Sequence, residues 1–126
     1  MTISRAAGWR LASVGMLLLA LPVLAHHAGS MFDMQNELTL TGTVREFQFT
    51  NPHCWTQLSV TANGAADEWS IQMGAPIQVF QGGWNPHTLK PGDQIRVTFH
   101  PMHDGSKGGN FISATGADGQ RLGNAS

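Results

Sequence analysis

Between residues 38 and 49 the apolar side chains alternate, and then the alternation slips by one place. Leu38, Leu40, Gly42 and Val44 fall on even positions, whereas Phe47 and Phe49 fall on odd ones. Successive side chains of a strand point to opposite faces. A slip of one would turn every later side chain to the wrong face unless an extra residue is accommodated. The pattern therefore predicts a long strand over 38–50 with a bulge near Arg45-Glu46. A long, bent first strand is what a small barrel uses to pass from one half-sheet to the other.

The remaining elements follow from the same period. Asn51-Pro52 reads as a turn. A second strand over 54–61 puts Cys54, Thr56, Leu58 and Val60 on one face, with Trp55, Gln57 and Ser59 on the other. Asn63-Gly64 is a hairpin signal, and Trp69, Ile71 and Met73 alternate in a third strand. Pro76, the pair Ile77 and Phe80 three apart, and a Gly82-Gly83 stop predict a short helix over 75–81. Pro91-Gly92-Asp93 is a further turn, Ile95, Val97 and Phe99 form a fourth strand, and a fifth covers 111–115. The Gly-rich stretch 106–110 reads as a mobile loop, and Asp118-Gly119 as a last turn. Three strands, a helix and two strands is the order of the OB-fold, in which the helix plugs one end. The expected class is all-β: a small five-stranded OB-like barrel with one short helix between strands three and four. The competing architecture is another small β-sandwich or roll.

The first residues read as an address. Arg5 and Arg10 precede an uncharged run over 11–24, and Val23-Leu24-Ala25 has the form of a cleavage site. The apolar run is shorter than the ~20 residues of a membrane span. The expected organisation is a signal peptide over 1–25, an irregular arm over 26–37, the barrel over 38–122 and a tail over 123–126. Export to the periplasm follows, with no stable membrane span after cleavage. Loss of Arg5 and Arg10 leaves five basic against eight acidic residues, a net charge of −3. Phosphate-backbone binding needs clustered Lys and Arg, so nucleic acid is not an expected partner. One cysteine, Cys54, rules out an internal disulfide. Its place on the face of Leu58 and Val60 suits a buried, inert thiol.

Several segments together carry a resemblance: His26-His27, Met31-Phe32-Asp33, Gly42-Thr43-Val44, Asn51-Pro52-His53, Gly83-Trp84, Leu89-Lys90-Pro91-Gly92-Asp93 and Asp104-Gly105. In this order and spacing, residues 26–122 resemble a bacterial family of small exported proteins catalogued as domain of unknown function 6152. The Asn-Pro-His segment after a Gly-x-Val strand is its most specific piece. The resemblance implies a periplasmic single-domain β-protein and brings no activity with it.

Function is therefore read from the residues. All six histidines follow the leader. After cleavage, the α-amine and imidazole of His26 chelate one ion, and a second imidazole completes a brace suited to copper. His27, His53, His100 and His103 are the candidate partners, with Met102, Met31 and Met34 as softer donors for Cu(I). In the bland reading these histidines are solvated or cap backbone groups. Asn51 and His53 either aim an imidazole at the barrel mouth, where OB-folds bind ligands, or serve the turn alone. Trp55, Trp69 and Trp84 are groove or core residues; Trp69 is in phase with Ile71, while Trp55 is out of phase with Leu58 and is the better groove residue. Trp55 and Trp84 with Asn51 and His53 form the metal-free alternative, a site for a small molecule, a glycan or a periplasmic protein partner. No nucleophile elbow, zinc-protease helix or phosphate loop occurs, so no enzyme activity is expected.

Overall fold

The computed structural model describes residues 31–124. The predicted leader over 1–25 and the histidines His26 and His27 lie outside the described residues. Five strands and one helix follow in order: β1 (Leu38–Gln48), β2 (Trp55–Ala62), β3 (Ala65–Gln72), α1 (Pro76–Gln81), β4 (Gln94–Pro101) and β5 (Gly108–Gly116). They close into a barrel in the order β1-β2-β3-β5-β4, which is the OB-like topology. No helix among the described residues is long and apolar enough to cross a membrane.

The slip in β1 is the device that closes the barrel. Val44 faces Leu58 and Glu46 faces Gln57, so Arg45 is the extra residue on β1. The first half of β1 pairs with β4, from Leu38 opposite Phe99 to Thr43 opposite Gln94. The second half pairs with β2, down to Gln48 opposite Trp55. The bend at the bulge is thus where one strand changes partners. β2 and β3 form a tight hairpin in which Asn63 and Gly64 both take positive φ, 51° and 80°, as a two-residue turn of this hand requires. The seam between β3 and β5 is the only parallel pairing among the described strands, and it spans three pairs: Ser70–Gly108, Ile71–Gly109 and Gln72–Asn110.

The core is the inward face of these strands. Val44, Cys54, Leu58, Ile71, Val97 and Phe99 are its fully buried side chains. α1 starts at Pro76, whose missing N–H costs nothing at a first helical position. The Gln78 side chain accepts the Ala75 N–H at 3.0 Å, and the helix stops at Gly82-Gly83, where Gly83 has φ of 85°. Its one buried residue, Val79, joins the core cluster, while Ile77 and Phe80 are 63% and 62% exposed. The expected apolar pair is therefore the solvent face.

A second difference concerns the glycines before Phe111. Residues 108–110 belong to β5 and are not a loop. A β-carbon on Gly108 would lie 2.7 Å from the Ser70 carbonyl oxygen, and one on Gly109 would overlap the Phe99 ring. These glycines admit a close approach of chains; they do not confer mobility. β3 likewise starts earlier than expected, at Ala65, and β1 ends at Gln48.

Candidate functional site

The outer face of the barrel carries a continuous row of polar side chains interrupted by one indole. The ladders set Gln48 beside Trp55, Trp55 beside Gln72, Gln72 beside Asn110, and Asn110 beside His100. The adjacent row on that face is Glu46, Gln57, Ser70 and Gly108. Phe47, Thr56, Ile71 and Gly109 alternate with them and turn inward. Gln57 donates to the Gln48 amide oxygen at 3.5 Å and accepts the Ser70 hydroxyl. Gln72, at the centre of the row, is 6% exposed. Its amide forms no hydrogen bond within the described residues, yet no buried side-chain polar atom among them is cut off from both partner and solvent.

Trp55 also forms one wall of a cleft of about 150 Å³. The rest of its lining comes from the arm at Met31-Phe32, the β4–β5 loop at Met102, Ser106 and Lys107, and Ser70, Gly108 and Gly109 of the strands. Phe32 bridges Met102 in a single antiparallel step, with Asp33 N–H on the Pro101 carbonyl at 2.8 Å and His103 N–H on the Met31 carbonyl at 3.0 Å. Phe32 is 4% exposed, so burial of one ring ties the arm down. Two carboxylates hold these walls in shape. Asp33 accepts from the Asn36 side chain at 2.7 Å and from Gln35 N–H at 3.1 Å, which lowers its pKa. Asp104 accepts the Ser106 hydroxyl at 2.6 Å and Ser106 N–H at 2.9 Å, and its pKa is lowered as well. Lys107 is neutralised by Asp67 at 2.6 Å.

The expected site residues fall into separate groups. Trp55 and Met102 meet in the cleft. Asn51 is exposed on the β1–β2 turn, where the Thr50 hydroxyl reaches the His53 carbonyl at 3.4 Å. His53 Nδ1 donates to the Met73 carbonyl at 3.2 Å, and His100 Nδ1 to the Asn36 carbonyl at 2.8 Å. His103 is exposed beside Met31. Among the described residues, no three His, Cys, Asp or Glu side chains gather into a metal-holding group. Trp84 is 5% exposed and packed at 5.9 Å from Phe47 and 5.4 Å from Phe111, ring centre to ring centre, and it also lines a separate apolar cleft of about 200 Å³ with Met73, Val79 and Phe111. The edge-on contact with Phe111 is a favourable aromatic geometry, and it commits the indole to the core. Cys54 is fully buried, and that burial raises its thiol pKa.

Gln57, Ser70, Gln72 and Asn110 are the residues that reading by motif missed. Their signal was the polar phase of β2, β3 and β5, opposite Leu58 and Ile71.

The family model described as "Family of unknown function (DUF6152)" matches residues 12–111, and the chain belongs to that family. No curated protein matches it. Among solved structures, the mitochondrial single-stranded DNA binding protein Rim1 from S. cerevisiae is similar, with 11% identity over 71% of this chain and 96% of that one and a TM-score of 0.49.

Proposed function

We propose that this member of the family is an exported, non-catalytic binding module whose ligand site is the Trp55 cleft. The observation that carries the proposal is the cleft's position. It lies on the outer face of β2 and β3 and against the β4–β5 loop, the region OB-folds use for ligands. Its lining is apolar apart from Ser70, Ser106 and Lys107, the make-up of a small-molecule site but smaller than the ~300 Å³ at which drug-sized pockets begin. The periplasm is the compartment that the leader over 1–25 supports. The net charge of −3 after cleavage argues against a phosphate backbone as ligand.

The probe for the site is anilinonaphthalene sulfonate, which fluoresces in apolar clefts. It is expected to bind with one-to-one stoichiometry, and Trp55→Ala should weaken binding at least tenfold, or about 1.4 kcal/mol. Equal binding by both proteins would overturn the cleft as the site.

A second reading, copper, is favoured by one contact. The His103 N–H bonds the Met31 carbonyl at 3.0 Å, which ties the chain four residues after His27 to the β4–β5 loop. His26 with its freed α-amine, His27 and His103 with Met102 would then supply nitrogen and thioether donors, with His53 and His100 as further imidazoles. Buffered Cu(II) titration of the processed protein and of a form with one extra N-terminal residue tests it. The extension converts the amine to an amide, so affinity should fall well over tenfold; equal affinities would remove the brace.

A further inference from the structure

Resting on the cleft as ligand site, we propose that its ligand is a neutral oligosaccharide. One sugar ring stacks on Trp55 in the cleft, and its neighbours run along the row of amides. The face is built for that chemistry. A pyranose presents an apolar face of C–H bonds and an edge of hydroxyls that both donate and accept. An indole suits the first. Primary amides, which also donate and accept, suit the second. Gln48, Gln57, Gln72 and Asn110 bring four such amides onto one outer surface around Trp55. Gln48, Gln57 and Ser70 are already oriented by mutual hydrogen bonds, which reduces the ordering cost of binding. Gln72 stands between Trp55 and Asn110 in this row, with no side-chain hydrogen-bond partner among the described residues.

The other ligand classes fit less well. A nucleic acid stacks on aromatics too, but it needs cations along its backbone. Here the border holds Glu46 and a Lys107 already paired with Asp67. A metal ion requires converging donors, and the row holds one imidazole, His100, at its far end. An added peptide strand needs an open ladder, and the barrel is closed.

The test uses the full chain, expressed with its leader and purified as the cell processes it. Hexamers of N-acetylglucosamine, glucose in β-1,4 linkage and glucose in α-1,4 linkage are titrated against the 15N-labelled protein, with an oligothymidylate as comparison. At least one hexamer should bind saturably, shifting the Trp55 indole N–H and the side-chain amides of Gln57, Gln72 and Asn110. Gln72→Leu and Gln57→Ala should each weaken that hexamer at least fivefold. The dispersion of the backbone spectrum reports whether each variant is folded. If no hexamer binds while the fluorescent probe still depends on Trp55, the saccharide proposal fails and the cleft survives. If the probe ignores Trp55 as well, both fail. Tighter binding of the oligothymidylate, or saccharide affinity indifferent to both glutamine variants, would also overturn the proposal.

Discussion

Two tryptophans of this chain were equal candidates by residue type, and the fold separates them by phase. Trp55 sits on a strand, out of step with Leu58, and the period-two rule was enough to send it outward. Trp84 sits between α1 and β4, where no alternation exists to be in step with. Its burial follows from contacts with Phe47 and Phe111, which are distant in sequence. The consequence is opposite in the two cases. Trp84→Ala would empty a large volume from the core and should cost about 3–5 kcal/mol in urea unfolding. Trp55→Ala should cost markedly less stability while removing ligand binding. A Trp84 variant as stable as the parent would show that the indole is not wedged as described. Cys54, by contrast, was legible from its neighbours in the strand, because a small apolar side chain in phase with Leu58 has only one face to occupy.

At the level of elements, the bulge at Arg45 and the Asn63-Gly64 turn were readable because each is a local rule written in consecutive residues. The buried face of α1 was not: six residues hold fewer than two turns, too few for a period to declare itself. The start of β5 was misread because glycines mark both loops and close approaches. The two segments that wall the cleft depend on electrostatics as the strands do not. Asp33 and Asp104 have depressed pKa values, so their contribution is complete above the usual carboxylate value of about 3.9. It is lost as the pH falls through their lower folded values. Asp104 is an exposed turn residue and Asp33 a half-buried residue of the arm, and both lie outside the strands, so protonation should loosen the arm and the β4–β5 loop without unfolding the barrel. Backbone 15N order parameters should fall at Gln35 and Ser106 between about pH 5 and about pH 2 while those of Val44, Leu58 and Val97 hold. A uniform loss across all these residues, or none at Gln35 and Ser106, would contradict this division.

For the molecule as a whole, strand order was readable, because three strands, a helix and two strands admit few topologies. The meeting of β3 with β5, which joins Gln72 to Asn110 in the polar row, was not readable, because no run of consecutive residues announces a parallel contact. That contact is also the shortest join in the wall, three pairs against the longer antiparallel ladders. It is accordingly the place where the cylinder should part first, exchanging its amide hydrogens ahead of the β2–β3 hairpin. Gln72 and Ser70 stand on one bank of that join, and Asn110 and Gly108 on the other. A saccharide lying across the face would therefore act as a clasp between banks, binding the shut form and not the parted one. At a hundredfold excess over Kd such linkage amounts to about 2.7 kcal/mol. It should appear as slowed deuterium uptake at residues 70–72 and 108–110 in the presence of the hexamer, with Ala62 and Ala65 at the far hairpin unaffected. Uniform slowing across both regions would mean that the sugar merely stabilises the folded chain and does not bridge the gap. Localised slowing would make occupancy of the site and integrity of the cylinder one thermodynamic quantity, so that the protein, when empty, is a slightly leaky hoop.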